Sequence, residues 1–156
     1  GDKNAPIKIT EFAELECGHC KTAFFSMKEI LAQYGDKIYF EFRHFPLPFH
    51  KHSREYAKAS LCVADFKKDK YLDYLEEIFN NQTQLDKVTP YSISDKLELD
   101  TNQLKRCMND VYVNDFLNED IEEANRIEIS STPTFIINGQ VYIGEITYET
   151  IQSYLK

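Results

Sequence analysis

Two cysteines separated by two residues are the side chains best suited to chemistry in this chain. Cys17 and Cys20 follow a short apolar stretch and lie where a helix is predicted to begin. The first turn of a helix carries unpaired N–H groups and a partial positive charge, which favour a thiolate over a thiol. We therefore expect Cys17 to be a redox nucleophile, and Cys20 to close a disulfide with it or to release a trapped substrate.

The same spacing also occurs in zinc sites, which are the main alternative for this pair. A structural zinc ion needs four ligands in a closed site. The chain has no second C-x-x-C, and its other cysteines, Cys62 and Cys107, stand alone. The histidines that follow have no spacing that completes a site with the pair: His44, His50 and His52. The ligand count disfavours a zinc site but leaves it open as the alternative for this pair.

Two strands joined by a helix must position the cysteine pair. Apolar residues predict a strand over 7–12, an amphipathic helix follows the cysteines, and alternation predicts a second strand over 38–43. A strand, a helix and a strand in this order form a right-handed unit with parallel strands. The cysteines would then lie at the tip of the first strand.

A helical block and a terminal hairpin make up the rest of the chain. Apolar residues at helical spacing predict successive helices, with Ser53 as the N-cap of the first, inserted at about 50–129. Strands are predicted at 135–137 and 141–143 around the two-residue turn Asn138-Gly139, followed by a last helix. The fold class is α/β, and we expect residues 1–156 to form a single domain.

The overall composition argues against several classes of function. The 18 basic and 26 acidic residues give a net charge of −8, which opposes a nucleic-acid or anionic membrane surface. No apolar run approaches the ~18 residues of a membrane span. The chain begins with Gly1 rather than Met, so we expect a targeting segment or an N-terminal extension to precede it. Four cysteines suit an oxidising compartment.

Four pieces of the sequence resemble the DsbA-like thiol–disulfide oxidoreductases of bacteria. They are GDKNAPIKITEF at 1–12, CGHCK at 17–21, RHFPLPFHKHSREYAKAS at 43–60 and STPTFIINGQ at 131–140, so the resemblance covers nearly the whole chain. The first and last pieces are also similar to the suppressor-of-copper-sensitivity C branch. The resemblance implies a thioredoxin fold with an inserted helical subdomain, and disulfide exchange on unfolded or reduced exported proteins in a bacterial periplasm. The C-x-x-C followed more than a hundred residues later by Thr132-Pro133, a strand and a hairpin is a specific combination that argues against zinc, so we expect no metal and no other cofactor.

The same resemblance implies roles for three further residues. Pro133 should follow a cis peptide bond that faces the cysteines, and Thr132 should offer its backbone to a substrate strand. Glu11, six residues before Cys17, matches the family's buried acid and would move protons as Cys20 changes state. An exposed position at a sheet edge is the alternative for Glu11.

The two residues between the cysteines differ from those of the best-known oxidases. Gly18-His19 is the pair of protein disulfide isomerase, where those oxidases carry Pro-His. His19 can favour the Cys17 thiolate by charge or hydrogen bonding and so make the disulfide more oxidising. Glu14 and Glu16 should act in the opposite direction, since negative charge raises the pKa of a thiol. An intermediate potential would suit oxidation or shuffling of disulfides.

The favoured function is the introduction or exchange of disulfides in exported proteins, with reoxidation by a membrane partner. An isomerase or reductase acting as an oligomer, through a segment before Gly1, is the alternative within the same chemistry. A copper carrier using Cys17 and Cys20, or a holdase, represents a different class. Cys62 and Cys107 in the helical block are either separate buried thiols or a structural disulfide.

Overall fold

The computed structural model describes all of residues 1–156, which form four strands and seven main helices. The strands are β1 (Ile7–Ala13), β2 (Ile38–His44), β3 (Thr134–Ile137) and β4 (Gln140–Ile143). The helices are α1 (Gly18–Tyr34), α2 (Ser53–Phe66), α3 (Tyr71–Asn80), α4 (Pro90–Lys96), α5 (Thr101–Asn109), α6 (Tyr112–Arg126) and α7 (Tyr148–Tyr154). None of these helices combines the length and apolar character that crossing a bilayer requires.

The four strands form one mixed sheet in the order β2-β1-β3-β4. β1 and β2 are parallel, as the βαβ pattern predicts, whereas β3 is antiparallel to both β1 and β4. Asn138 and Gly139 connect β3 to β4, both with positive φ (47° and 87°), as a tight hairpin turn requires. β1 is therefore an interior strand, and the chain segment that leaves it is held from both sides.

Alternate residues of β1 point to opposite faces of the sheet, and both faces are covered. One face packs on α1 and α7 through the buried residues Ile7, Ile9, Ala23, Met27, Ile30 and Ile151. On the other face, Phe12 packs against Ala124 of α6 and Ile129. The sheet is thus the middle layer between two layers of helices, which fixes where β1 ends and α1 begins.

The predicted helical block is present between β2 and β3 as the five helices α2 to α6. Its apolar core is continuous with the start of α1, since Leu15, Cys20 and Phe24 pack with Tyr74 and Phe79 of α3. A disulfide between Cys62 and Cys107 joins α2 to α5, with the two Cα atoms 5.9 Å apart. Of the two alternatives for these cysteines, the structure contains the disulfide.

The start of α2 differs from the prediction. Helix α2 begins at Ser53 itself, so His52 occupies the N-cap position, and no side-chain cap comes from either residue. The carboxylate of Glu16 instead accepts hydrogen bonds from the backbone N–H groups of His52 (2.7 Å) and Ser53 (2.8 Å). An acid beside the cysteine pair therefore anchors the helical block, and the assignment of Ser53 as the N-cap was wrong.

Candidate functional site

The two cysteines of the C-x-x-C motif differ in exposure. Cys17 is the N-cap residue of α1, Gly18 is the first residue of the helix, and Cys20 lies in its first turn. Cys17 is partly exposed, whereas Cys20 is completely buried and accepts a hydrogen bond from the backbone N–H of Glu14 (3.4 Å). A protein substrate can therefore reach the sulfur of Cys17 but not that of Cys20.

The environment of the pair also separates the acidities of the two thiols. A hydrogen bond from the Cys20 thiol is the largest cause that lowers the pKa of Cys17 to about 5. Partial burial opposes this shift. Three further hydrogen bonds of the Cys17 sulfur add to it, with the backbone N–H of Cys20, with Thr132 and with the backbone N–H of His19. The same hydrogen bond and burial raise the pKa of Cys20. At neutral pH the reduced site holds a thiolate on Cys17 and a thiol on Cys20.

The loop before β3 lies against the cysteine pair. The Thr132–Pro133 peptide bond is cis, as the family resemblance predicted. The carbonyl oxygen of Thr132 lies 3.6 Å from Cys17 Sγ and accepts its hydrogen bond when Cys17 is protonated. The Pro133 carbonyl accepts one from the N–H of Gly144 (2.8 Å), which fixes the loop to the end of β4. The main chain at Thr132 is therefore held next to the exposed sulfur.

The His19 ring points away from the thiols. Its side chain is 84 % exposed, and Nδ1 lies 3.7 Å from the carboxylate of Glu145. The contribution of His19 to the lowered pKa of Cys17 comes from its backbone N–H. Such backbone groups are unpaired in the first turn of any helix, so the geometry of α1 provides them. A direct effect of the ring on Cys17 stays a prediction.

The carboxylates of the two acids before Cys17 bind groups of the β2–α2 loop and the start of α2. Glu14 is buried, and its carboxylate lies 2.6 Å from Nδ1 of His50 and accepts the backbone N–H of Glu16 (3.1 Å). Glu16 binds the start of α2. Neither acid is among the main causes that shift the pKa of Cys17, which are its hydrogen bonds and its burial. A rise in the Cys17 pKa caused by these acids stays a prediction.

Glu11 lies in the interior strand β1 and is completely buried. Both carboxylate oxygens lack a hydrogen-bond partner, and burial raises the pKa of Glu11 to about 8. Its side chain is on the same sheet face as Ala13, which packs in one apolar cluster with Cys20. The alternative of an exposed edge position is therefore wrong, and Glu11 is a neutral acid at neutral pH.

Two clefts border Thr132, next to the reactive sulfur. One, of about 410 Å³, is bordered by Cys17, by Leu47, Phe49 and His50 of the β2–α2 loop, and by Thr132. The other, of about 280 Å³, lies over Pro133 and is bordered by His19, Ile143 and Glu145. The side chain of Phe49 is 75 % exposed. An extended peptide could cross Thr132 with side chains in both clefts.

A family described as Thioredoxin matches the chain over residues 1–156. This chain belongs to that thioredoxin family. Among solved structures, Pseudomonas aeruginosa DsbA2 is 26% identical with a TM-score of 0.84, covering 99% of this chain and 90% of that one. The thiol-disulfide exchange protein alpha-DsbA2 from Wolbachia pipientis is 21% identical with a TM-score of 0.88, covering 98% and 82%. The α/β thioredoxin fold with an inserted helical block is confirmed.

Curated relatives of this thioredoxin-family chain are much longer proteins. The Na(+)/H(+) antiporter NhaA 1 of Mycobacterium sp. (strain KMS) is 28% identical over 147 residues, which are 92% of this chain and 24% of the antiporter. The antiporter NhaA of Herminiimonas arsenicoxydans is 25% identical over 156 residues, which are 100% and 24%. The chain thus spans about a quarter of the length of these curated relatives.

One residue of this thioredoxin-family site was missed by sequence reasoning. The side-chain Nε2 of Gln82 donates hydrogen bonds to the backbone carbonyls of Leu15 and Cys17, both at 2.9 Å. Gln82 lies in the turn after α3 and has no motif around it. Its contact ties the helical block to the turn that carries Cys17, and no pattern in the sequence could have indicated it.

Proposed function

We propose that this chain is a thiol–disulfide oxidoreductase that introduces or exchanges disulfides in exported proteins. The observation that carries the proposal is the difference between an accessible Cys17 with its pKa lowered to about 5 and a buried Cys20 with its pKa raised. A stabilised Cys17 thiolate favours the reduced form, and this makes the disulfide of the pair a stronger oxidant.

The reaction begins with the Cys17–Cys20 disulfide. A substrate thiolate attacks Cys17 Sγ, a bond forms between these two sulfurs, and the electron pair of the old disulfide leaves on Cys20. A second substrate thiolate then attacks the substrate sulfur and releases Cys17 as a thiolate. The substrate is oxidised by two electrons, and the chain is left reduced. Its reoxidation requires an electron acceptor, which we assign to a membrane redox partner.

Glu11 is proposed to supply the proton that Cys20 takes up when it leaves the disulfide. The support is that Glu11 is buried on the sheet face that leads to Cys20, lacks a partner, and has its pKa raised to about 8. A neutral acid at neutral pH can donate a proton inside the protein, where water is excluded. The proton would return when Cys20 is oxidised again.

Substrate binding is proposed to use the backbone beside Cys17. An extended substrate segment would pair with the main chain of Thr132, next to Pro133, by strand addition. The Thr132 carbonyl lies 3.6 Å from Cys17 Sγ and would be close to the substrate cysteine in the mixed disulfide. The flanking clefts would receive side chains on each side.

The location and partners follow from the same proposal. Disulfide formation needs an oxidising compartment, so we propose a periplasm or its equivalent. An oligomer formed through a segment before Gly1 would favour isomerisation instead of oxidation. The curated relatives carry the name of an ion antiporter, and they align with this chain over about a quarter of their own length. The thioredoxin family match of this chain supports thiol chemistry.

The test uses three forms of the chain with a reduced protein substrate in glutathione buffer. The wild type should form substrate disulfides, and Cys17→Ser should abolish this activity because no attackable sulfur remains. Cys20→Ser should accumulate a mixed disulfide at Cys17, visible on non-reducing gels. Unchanged activity of Cys17→Ser would overturn the proposal. Rescue of a substrate with scrambled disulfides by the reduced chain would identify an isomerase.

A further inference from the structure

His50 is a titratable group that lines the same cleft as Cys17 and that the proposed reaction leaves unused. We propose that His50, held by the buried carboxylate of Glu14, is the general base that takes the proton of the incoming substrate thiol. The inference rests on the proposed function and adds a catalytic residue to it. The C-x-x-C motif, the cis-proline loop and Glu11 do not perform this step, because each acts on the chain's own sulfurs or on the substrate backbone.

The first support is the pairing of His50 with Glu14. Nδ1 of His50 lies 2.6 Å from Oε2 of Glu14, and the Glu14 side chain is fully buried. The other carboxylate oxygen accepts the N–H of Glu16, so the acid cannot rotate away from the ring. A carboxylate on Nδ1 holds the proton there and leaves Nε2 as the basic nitrogen.

The second support is the position of Nε2. The His50 side chain is 28 % exposed, and Nε2 has no hydrogen-bond partner and is not among the buried polar atoms. His50 borders the 410 Å³ cleft that also contains Cys17 and Thr132. The charged or titratable groups that face it are Glu14 from the β1–α1 loop and Glu16 and Cys17 at the start of α1. The basic nitrogen is therefore free to accept a proton in a residue that lines the same cleft as Cys17.

The chemistry requires such a base because the thiolate is the attacking species. An ordinary cysteine, with a pKa of about 8.5, is only about 3 % ionised at about pH 7. In the proposed step, the substrate S–H proton moves to Nε2 while the sulfur attacks Cys17 Sγ, and the electron pair of the Cys17–Cys20 bond leaves on Cys20. The imidazolium then returns its proton to solvent. No oxidant beyond the disulfide of the chain enters this step.

The size of the effect has an upper limit. If a base supplied a fully ionised thiol, the gain over the 3 % present in solution would be about 30-fold at about pH 7. Loss of His50 should thus slow attack by an ordinary thiol by about tenfold at that pH. The difference in rate between the chain with and without His50 should disappear above about pH 9.5, where the substrate thiol ionises without a base.

The experiment measures the second-order rate at which the oxidised chain oxidises a short peptide containing two ordinary cysteines, from about pH 6 to about pH 10. The variants are His50→Gln and, as a matched control, His52→Gln, since the His52 ring pairs with the exposed Asp86 and is outside the cleft. Starting from the disulfide form removes any effect of the Cys17 thiolate. Thionitrobenzoate, a thiol that is already ionised at neutral pH, serves as a second substrate.

We expect His50→Gln to be about tenfold slower than wild type with the peptide at about pH 7, and equal to it with thionitrobenzoate and at about pH 10. His52→Gln should follow the wild type throughout. Equal peptide rates at neutral pH would overturn the inference, as would a deficit of the same size with both substrates and at all pH values. A wild type that oxidises neither thiol would refute the proposed function itself.

Discussion

Replacing Glu11 by Gln should stabilise the folded chain at neutral pH and leave its stability unchanged in mild acid. Burial without a partner raises the pKa of Glu11 from 4.5 to about 8. Between these values the folded state keeps a proton that the unfolded state has lost, so the free energy of unfolding falls as pH rises. The loss is about 1.4 kcal/mol per pH unit, or about 3 kcal/mol at about pH 7. Gln is uncharged and avoids this loss.

Urea unfolding of both proteins from about pH 4.5 to about pH 8 measures the effect. A Cys17→Ser/Cys20→Ser background removes thiol titration, and Glu122→Gln, at an exposed helix position, is the control with no expected pH-dependent difference. The difference in the free energy of unfolding between Glu11→Gln and its parent should be near zero at the acid end of the range and should grow with pH. A constant difference, or destabilisation at neutral pH, would show that the carboxylate is satisfied in the folded chain.

Three further outcomes follow from the structure. The rate at which iodoacetamide modifies Cys17 should rise with pH, with a midpoint near pH 5, and the buried Cys20 should stay unmodified in the folded chain. A midpoint near about pH 8.5 would contradict the described thiol environment. Replacing Cys62 and Cys107 by Ala should lower the free energy of unfolding by about 4 kcal/mol, because their disulfide closes a loop across 45 residues. A decrease below about 1 kcal/mol, measured by urea unfolding, would refute this prediction. Glu16→Ala should cost about 1 kcal/mol in the same assay, since α2 loses its cap, and no loss would contradict the capping role.

The elements that carry the redox pair were predictable from local patterns. Alternating and helical apolar spacing marks β1, α1 and β2, and the turn Asn138-Gly139 marks the terminal hairpin. These signals are strong because each element buries its own face against the sheet or its covering helices. Even so, β1 extends to Ala13, one residue beyond the predicted end, because its last residue pairs with His44 of β2.

The supports around Cys17 could not be predicted in the same way. Glu14 meets His50 across 36 residues of sequence, and the side chain of Gln82 reaches Cys17 across 65. Glu16 caps a helix that begins 37 residues later, where the sequence favoured Ser53 as the cap. Such contacts depend on how the helical block docks on the end of β1. A sequence pattern records which residues could form a hydrogen bond, but not which distant segments meet.

The reduction potential of the Cys17–Cys20 pair decides whether this chain is an oxidant of protein thiols. A Cys17 pKa of about 5 lies between the values of about 7 in thioredoxin and about 3.5 in DsbA. The corresponding potentials are about −270 and −120 mV, so we expect a value between about −210 and −160 mV on equilibration with glutathione. A potential near about −270 mV, or no exchange with glutathione at all, would contradict the proposal that the folded chain favours the Cys17 thiolate and acts as an oxidant.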